Sequence, residues 1–180
     1  MSRAFVKEDA PSEDVVIPPR APLPPDSPNL VTPRGLELLN TEHAKLQAER
    51  ADLQPTEGEE RGLARQLALI DGQLAALNER LASAEVVAPT SDTDEVAFGT
   101  TVTVRVLNGK FTGEERTFTL VGVDEAGDDE ALVAFTAPIA KALLGCEVGD
   151  EGRLEVGRNT QRLEVVSLER WVRLEAKGKG

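Results

Sequence analysis

At 180 residues, the chain has room for one or two modest domains, and its formal net charge of −12 lacks the basic surface that gripping a nucleic-acid backbone requires. Trp171 is the only tryptophan, tyrosine is absent, and Cys146 and His43 are each single, which argues against base-stacking platforms, intrachain disulfides, cysteine-held zinc and Ser–His or Cys–His catalysis. The start "MSRAFVKEDA" has no signal-peptide core and no apolar run approaches a membrane span, so a cytoplasmic protein without a membrane partner is expected.

Residues 1–31 form a leader whose stretch "EDVVIPPRAPLPPDSPN" carries six prolines. Proline fixes φ and lacks the backbone donor, so extended polyproline conformation is expected, as a tethering or disordered arm more than a Pro-x-x-Pro docking peptide. Residues 32–86 open with Thr32 and Pro33, the favoured N-cap and first-position pair of a helix. Leu39, Leu46 and Leu53 then recur every seven residues, with Leu36, His43 and Arg50 in the alternate seam. Leu63, Leu67, Ile70, Leu74, Leu77, Leu81 and Ala84 alternate steps of four and three, the 3.5-residue period of a left-handed supercoil. Pro55 and Gly58 interrupt the pattern, which predicts an intramolecular antiparallel hairpin and a monomer, not a dimerising rod. His43 reads as a polar seam residue, since Gln47 and no second ligand stands at i+4.

Residues 87–94 read as a linker. In 95–172, "TTVTVRVL", "RTFTLVGV", "ALVAFT", "GRLEV" and "QRLEVVSLERW" alternate apolar with polar residues, as half-buried strands do. "APIAKALLG" is a short helix with Pro138 near its start and Gly145 at its end. The fold class is therefore α+β: a coiled-coil hairpin followed by a small antiparallel sheet with one short helix. Residues 173–180 read as a flexible tail.

The hairpin loop, "LQPTEGEERG", holds Glu57, Glu59 and Glu60. Thr56-x-x-Glu59 fits a capping box, and acids in a first turn favour the positive end of a helix. We read the three acids mainly as helix starters, against metal-assisting or partner-contacting roles.

"NLVTPRGLELL", "ASAEVV", "VAFGTTVTV", "LVGVDEA" and "APIAKALLGCEVGD" follow one another from residue 29 onward. In that order they resemble the bacterial transcript-cleavage factors GreA and GreB, "FGTTV" and "PIAKALLGCEVGD" being the most specific. The resemblance covers residues 29 to about 170 and implies an FKBP-like C-terminal domain that docks on RNA polymerase beside the secondary channel. It also implies a hairpin directed down that channel, whose tip acids help hold a magnesium ion of the polymerase and a water. The polymerase then cuts its own backtracked RNA, so the factor is an accessory with no catalytic residue and no cofactor of its own. Carboxylate oxygens suit such a hard ion, and paired metals activate an attacking water.

Two departures bear on that expectation. The family's tip run, Asp-Leu-x-Glu-Asn followed by Ala-Glu-Tyr, is absent. Aligned on Gly72 and "ASAEVV", Leu53 and Thr56 fall at the acid positions and only Glu59 matches an acid. Each arm is also shorter by roughly six residues, about 9 Å of helix. At the start of the short helix the family has Ser-Pro, whereas Ala137, Pro138 and Ile139 stand here as the polymerase-docking candidates. The expected function is modulation of elongation, with stimulated RNA cleavage as one route to it, although the missing tip run and short arms favour a non-cleaving one. A non-cleaving channel occluder or inhibitor, and an FKBP-like protein-binding or prolyl-isomerase module, are the alternatives. Against the last, Phe98, Phe111, Phe118, Phe135 and Trp171 are scattered and read as core packing.

Overall fold

The computed structural model describes residues 15–54, 60–88, 94–127 and 129–170. In chain order the elements are β1 (Asn29–Val31), α1 (Pro33–Asp52), α2 (Glu60–Ala82), β2 (Ala84–Val86), β3 (Thr100–Val106) and β4 (Glu115–Val121). They continue with β5 (Leu132–Ala134), α3 (Pro138–Leu143), β6 (Glu151–Val156) and β7 (Asn159–Arg170).

Helix α1 begins where Thr32 and Pro33 predict. Thr32 has extended backbone, and its hydroxyl accepts from the Gly35 amide at 2.9 Å. The seam forms as its spacing requires: Leu39, Leu46, Ile70 and Leu77 are buried with Val31, and Leu36, Leu53, Leu74, Leu81 and Ala84 pack around them. Burial weakens away from the base, from Leu77 at 0 % exposed to Ile70 at 9 %. Leu63 and Leu67, nearer the loop, are only half-buried. Two helices alone offer each other one stripe apiece, so the far end stays partly wet. His43 is half-buried in the seam, and Arg50 leaves it to pair with Asp71 on the opposite arm.

Periodicity does not announce β1 and β2. These three-residue strands pair in parallel, Asn29 opposite Ala84 and Val31 opposite Val86, and close the base of the hairpin. The Asn29 amide adds bonds to the Arg80 carbonyl and to Ser83.

The second unit is a five-stranded sheet in the order β5-β4-β3-β7-β6. All its pairs are antiparallel except β4–β5, which is parallel and corrects the wholly antiparallel sheet expected from the alternation. Val102, Val104, Val106, Phe118, Leu120, Leu163 and Val165 form its core with Ala140 and Leu143 of α3. A register shift between Thr103 and Val104 marks a bulge against β7. Helix α3 lies close on β6 because Gly152 has no side chain: a Cβ there would stand 2.6 Å from the Ala142 carbonyl oxygen.

The aromatic residues divide. Phe118 is in the core, and Phe98 and Phe135 meet edge to face with centroids 5.5 Å apart. Phe111, expected in the core, is instead exposed, with Lys110 and Arg116 over its ring. Trp171 lies outside the described residues.

The leader also departs from expectation. Its described part, from Val15 on, does not trail as a tether but is held against both units by hydrogen bonds from Arg20 to Glu42 and Asp124. A single arginine with two carboxylate partners outweighs the preference of a proline-rich stretch for solvent.

Candidate functional site

Of the three loop acids, Glu60 is the first residue of α2 and is exposed there; Glu57 and Glu59, with Thr56 of the expected capping box, lie outside the described residues. Along α2 the rise from Glu60 to Arg80, at the hairpin base, is about 30 Å. Glu60 therefore stands at the far end of the rod from the sheet. An acid in that first turn faces unpaired amides at the positive end of the helix.

The residues around Pro138 fall on the sheet unit. Ala137 is the N-cap of α3 with extended backbone and no side-chain cap bond, so Thr136 does not replace the missing serine. Ala137 and Ile139 pack against the sheet core, while Pro138 between them is exposed. The helix ends at Gly145, whose φ of 81° suits only a residue without a Cβ, and whose amide bonds the Val96 carbonyl at 2.9 Å. Leu144 and Val148, just past the C-terminal end of α3, are 41 % and 58 % exposed. Cys146 lies between them, half-buried; burial first, and the Asp150 carboxylate second, hold its thiol above its ordinary pKa. It therefore stays protonated, and a poor nucleophile, near neutral pH.

A third cluster joins the two units. Asp124 and Glu125 sit in the loop after β4, within "LVGVDEA". Glu125 is buried, and its carboxylate accepts from the Thr32 hydroxyl at 2.5 Å and from Arg34 at 3.1 Å. Asp124 Oδ1 accepts from Arg20 Nε at 3.1 Å and Nη2 at 2.9 Å, and its Oδ2 lies 3.2 Å from Arg80 Nε. Arg20 in turn forks onto Glu42 at 2.8 and 3.0 Å. The hydrogen bond to Glu42 is the largest of the influences that raise the Arg20 pKa, so its charge is secure despite partial burial.

Two glycines let the units approach. A Cβ at Gly122 would be 2.7 Å from the Leu30 carbonyl oxygen, and one at Gly35 would be 2.9 Å from Glu125 Oε2. Sequence reasoning missed Arg20, Arg80, Asp124 and Glu125 as a set. The only signal was "LVGVDEA" itself, since the partners of Asp124 and Glu125 in the leader and α1 lie 104 and 93 residues away.

Among the described residues no group of three or more His, Cys, Asp or Glu side chains could hold a metal ion. No helix among them is long and apolar enough to cross a membrane. The sheet unit presents an exposed proline at the start of α3, and the rod carries an acid at its far end; the acidic loop after β4 ties the two together.

Residues 90–170 match the family model described as transcription elongation factor, GreA/GreB, C-terminal. Transcription elongation factor GreA of Nitratidesulfovibrio vulgaris (strain DP4) is 32% identical over 121 residues, which is 67% of this chain and 72% of that protein. GreA of Syntrophotalea carbinolica is 35% identical over 100 residues, 55% of this chain; the match spans only 61% of that relative's own length. Among solved structures, GreA factor homolog 1 (Gfh1) of Thermus thermophilus aligns over 79% of this chain and 99% of its own at 19% identity, with a TM-score of 0.36. So loose a superposition bears on nothing further.

Proposed function

Since the chain belongs to the GreA/GreB family of transcription elongation factors, we propose that it is itself an elongation factor that binds RNA polymerase and modulates elongation from the secondary channel. One observation carries the reading. A sheet unit matched by the family's C-terminal model follows, in one chain, a two-helix rod about 30 Å long. In this reading the sheet unit docks through the surface around Ala137, Pro138 and Ile139, and the rod presents Glu57, Glu59 and Glu60 to the polymerase's active site. Cleavage stimulation asks one more thing of those acids: a carboxylate oxygen within about 2 Å of a magnesium ion held there. The chemistry belongs to the polymerase, and no residue of this chain is assigned a catalytic role.

A prolyl-isomerase reading has no support in the aromatic residues. Such a site encloses proline in an aromatic-lined pocket, whereas Phe118 is spent in the core and Phe98 on Phe135.

Equilibrium binding to purified polymerase tests the proposal, followed by RNA release from a backtracked elongation complex. Binding that weakens about tenfold in Pro138→Ala, from loss of a preformed docking turn, supports it. No binding by the full chain refutes it. Faster cleavage that is lost in Glu57→Ala/Glu60→Ala assigns the loop acids to the metal. Binding without faster cleavage assigns a channel-occupying role, with the acids serving to start α2.

A further inference from the structure

We propose that the proline-rich leader is a strap that sets the direction in which the hairpin projects from the sheet unit, fastened by Arg20 and Ile17. This holds whatever the hairpin's target is.

The case begins with leverage. The contacts of Thr32 and Arg34 with Glu125, of Arg80 with Asp124, and of Leu30 with Gly122 all lie near the base of the hairpin. Restraints at a pivot fix position but oppose tilting weakly. Glu42 stands ten residues beyond Thr32, about 15 Å up α1. Arg20 grips Glu42 with both terminal nitrogens while also holding Asp124 of the sheet unit, so it acts on the longest lever arm of the junction. The two-pronged geometry fixes angle as well as distance.

The second fastening is steric. Gly72 lies in the middle of α2, where glycine is the weakest helix former after proline. The site its Cβ would fill is taken by the end of the Ile17 side chain, which is itself 40 % exposed. Between Ile17 and Arg20 the chain is Pro18-Pro19, whose fixed φ angles make that span stiff. Arg80 then donates to the Ala21 carbonyl, so three closely spaced points hold the segment.

Beside the strap a cleft of about 330 Å³ stays open, lined in part by Pro18, Pro19, Gln73 and Val123. The leader is thus held at points and not by a filled core.

The test uses the full chain with Cys146→Ser and spin labels at Gln66→Cys on α2 and Arg158→Cys in the turn between β6 and β7, both exposed. Pulsed electron–electron distance measurement should give one narrow distribution. Arg20→Ala and Gly72→Ala should each lose that single peak and spread, with the helical circular dichroism retained. Gly72→Ala breaks no ion pair and favours the helix, so its spreading reports displaced Ile17 alone. A distribution that stays narrow in either variant overturns the proposal.

Discussion

Thr32 uses one hydroxyl twice. Its oxygen accepts from the Gly35 amide, capping α1, and its proton goes to Glu125 across the junction. Thr32→Ala should therefore cost more than a cap, about 2–3 kcal/mol, because the buried Glu125 carboxylate loses a donor as well. Urea unfolding should show the lowered midpoint, and Thr32→Ser should recover most of it. The cap was legible because Thr-Pro is a local signal. The second bond was not, since nothing near Glu125 in sequence names a partner 93 residues away. Cys146 gives a prediction with a definite sign. Its raised pKa means less thiolate than an ordinary cysteine at any pH below that pKa. Alkylation should be slower than for a free thiol near neutral pH and should rise only above the usual thiol range. Asp150→Asn should bring part of that rise to lower pH.

Among the elements, legibility followed period and length. The hairpin arms and all five strands of the sheet unit alternate clearly enough to be read, and the leucine seam is buried as its spacing requires. β1 and β2 have three residues each, too few to show a period, and their pairing depends on a fold-back more than fifty residues long. Strand β5 was readable as a strand but not as parallel, because alternation records which face is buried and not which way a neighbour runs. Helix α3 has a close limit at Gly152, where a Cβ would meet the Ala142 carbonyl, an atom that cannot swing aside. Gly152→Ala should lift α3 from β6 at a cost of about 1–3 kcal/mol. Thermal unfolding should reveal it, and, on the docking proposed for the Pro138 step, polymerase binding should fall in parallel.

At the scale of the whole molecule, the relation of rod to sheet rests on Asp124 and Glu125. Asp124→Ala leaves Arg20 and Arg80 without their shared partner, a loss of about 1–3 kcal/mol for a partly buried charge cluster in which Arg20 keeps Glu42. Calorimetry should then show the unfolding of the two units separating into two transitions, where the parent chain should give one. None of this geometry was legible beforehand. A single sequence reports what each stretch favours, whereas the junction is a meeting of residues from the leader, both arms and a sheet loop. The small parallel ribbon of β1 and β2 has a wider consequence. It returns the chain to the place it left, so the rod is a closed excursion between Thr32 and Ser83, and the sheet unit is indifferent to how far that excursion travels. Seven residues added to each arm beyond Glu42 and before Gly72 would lengthen it by about 10 Å without moving either strand. Reach and attachment can thus be inherited separately, and a lineage can change the length of the rod while keeping the strands that close its base.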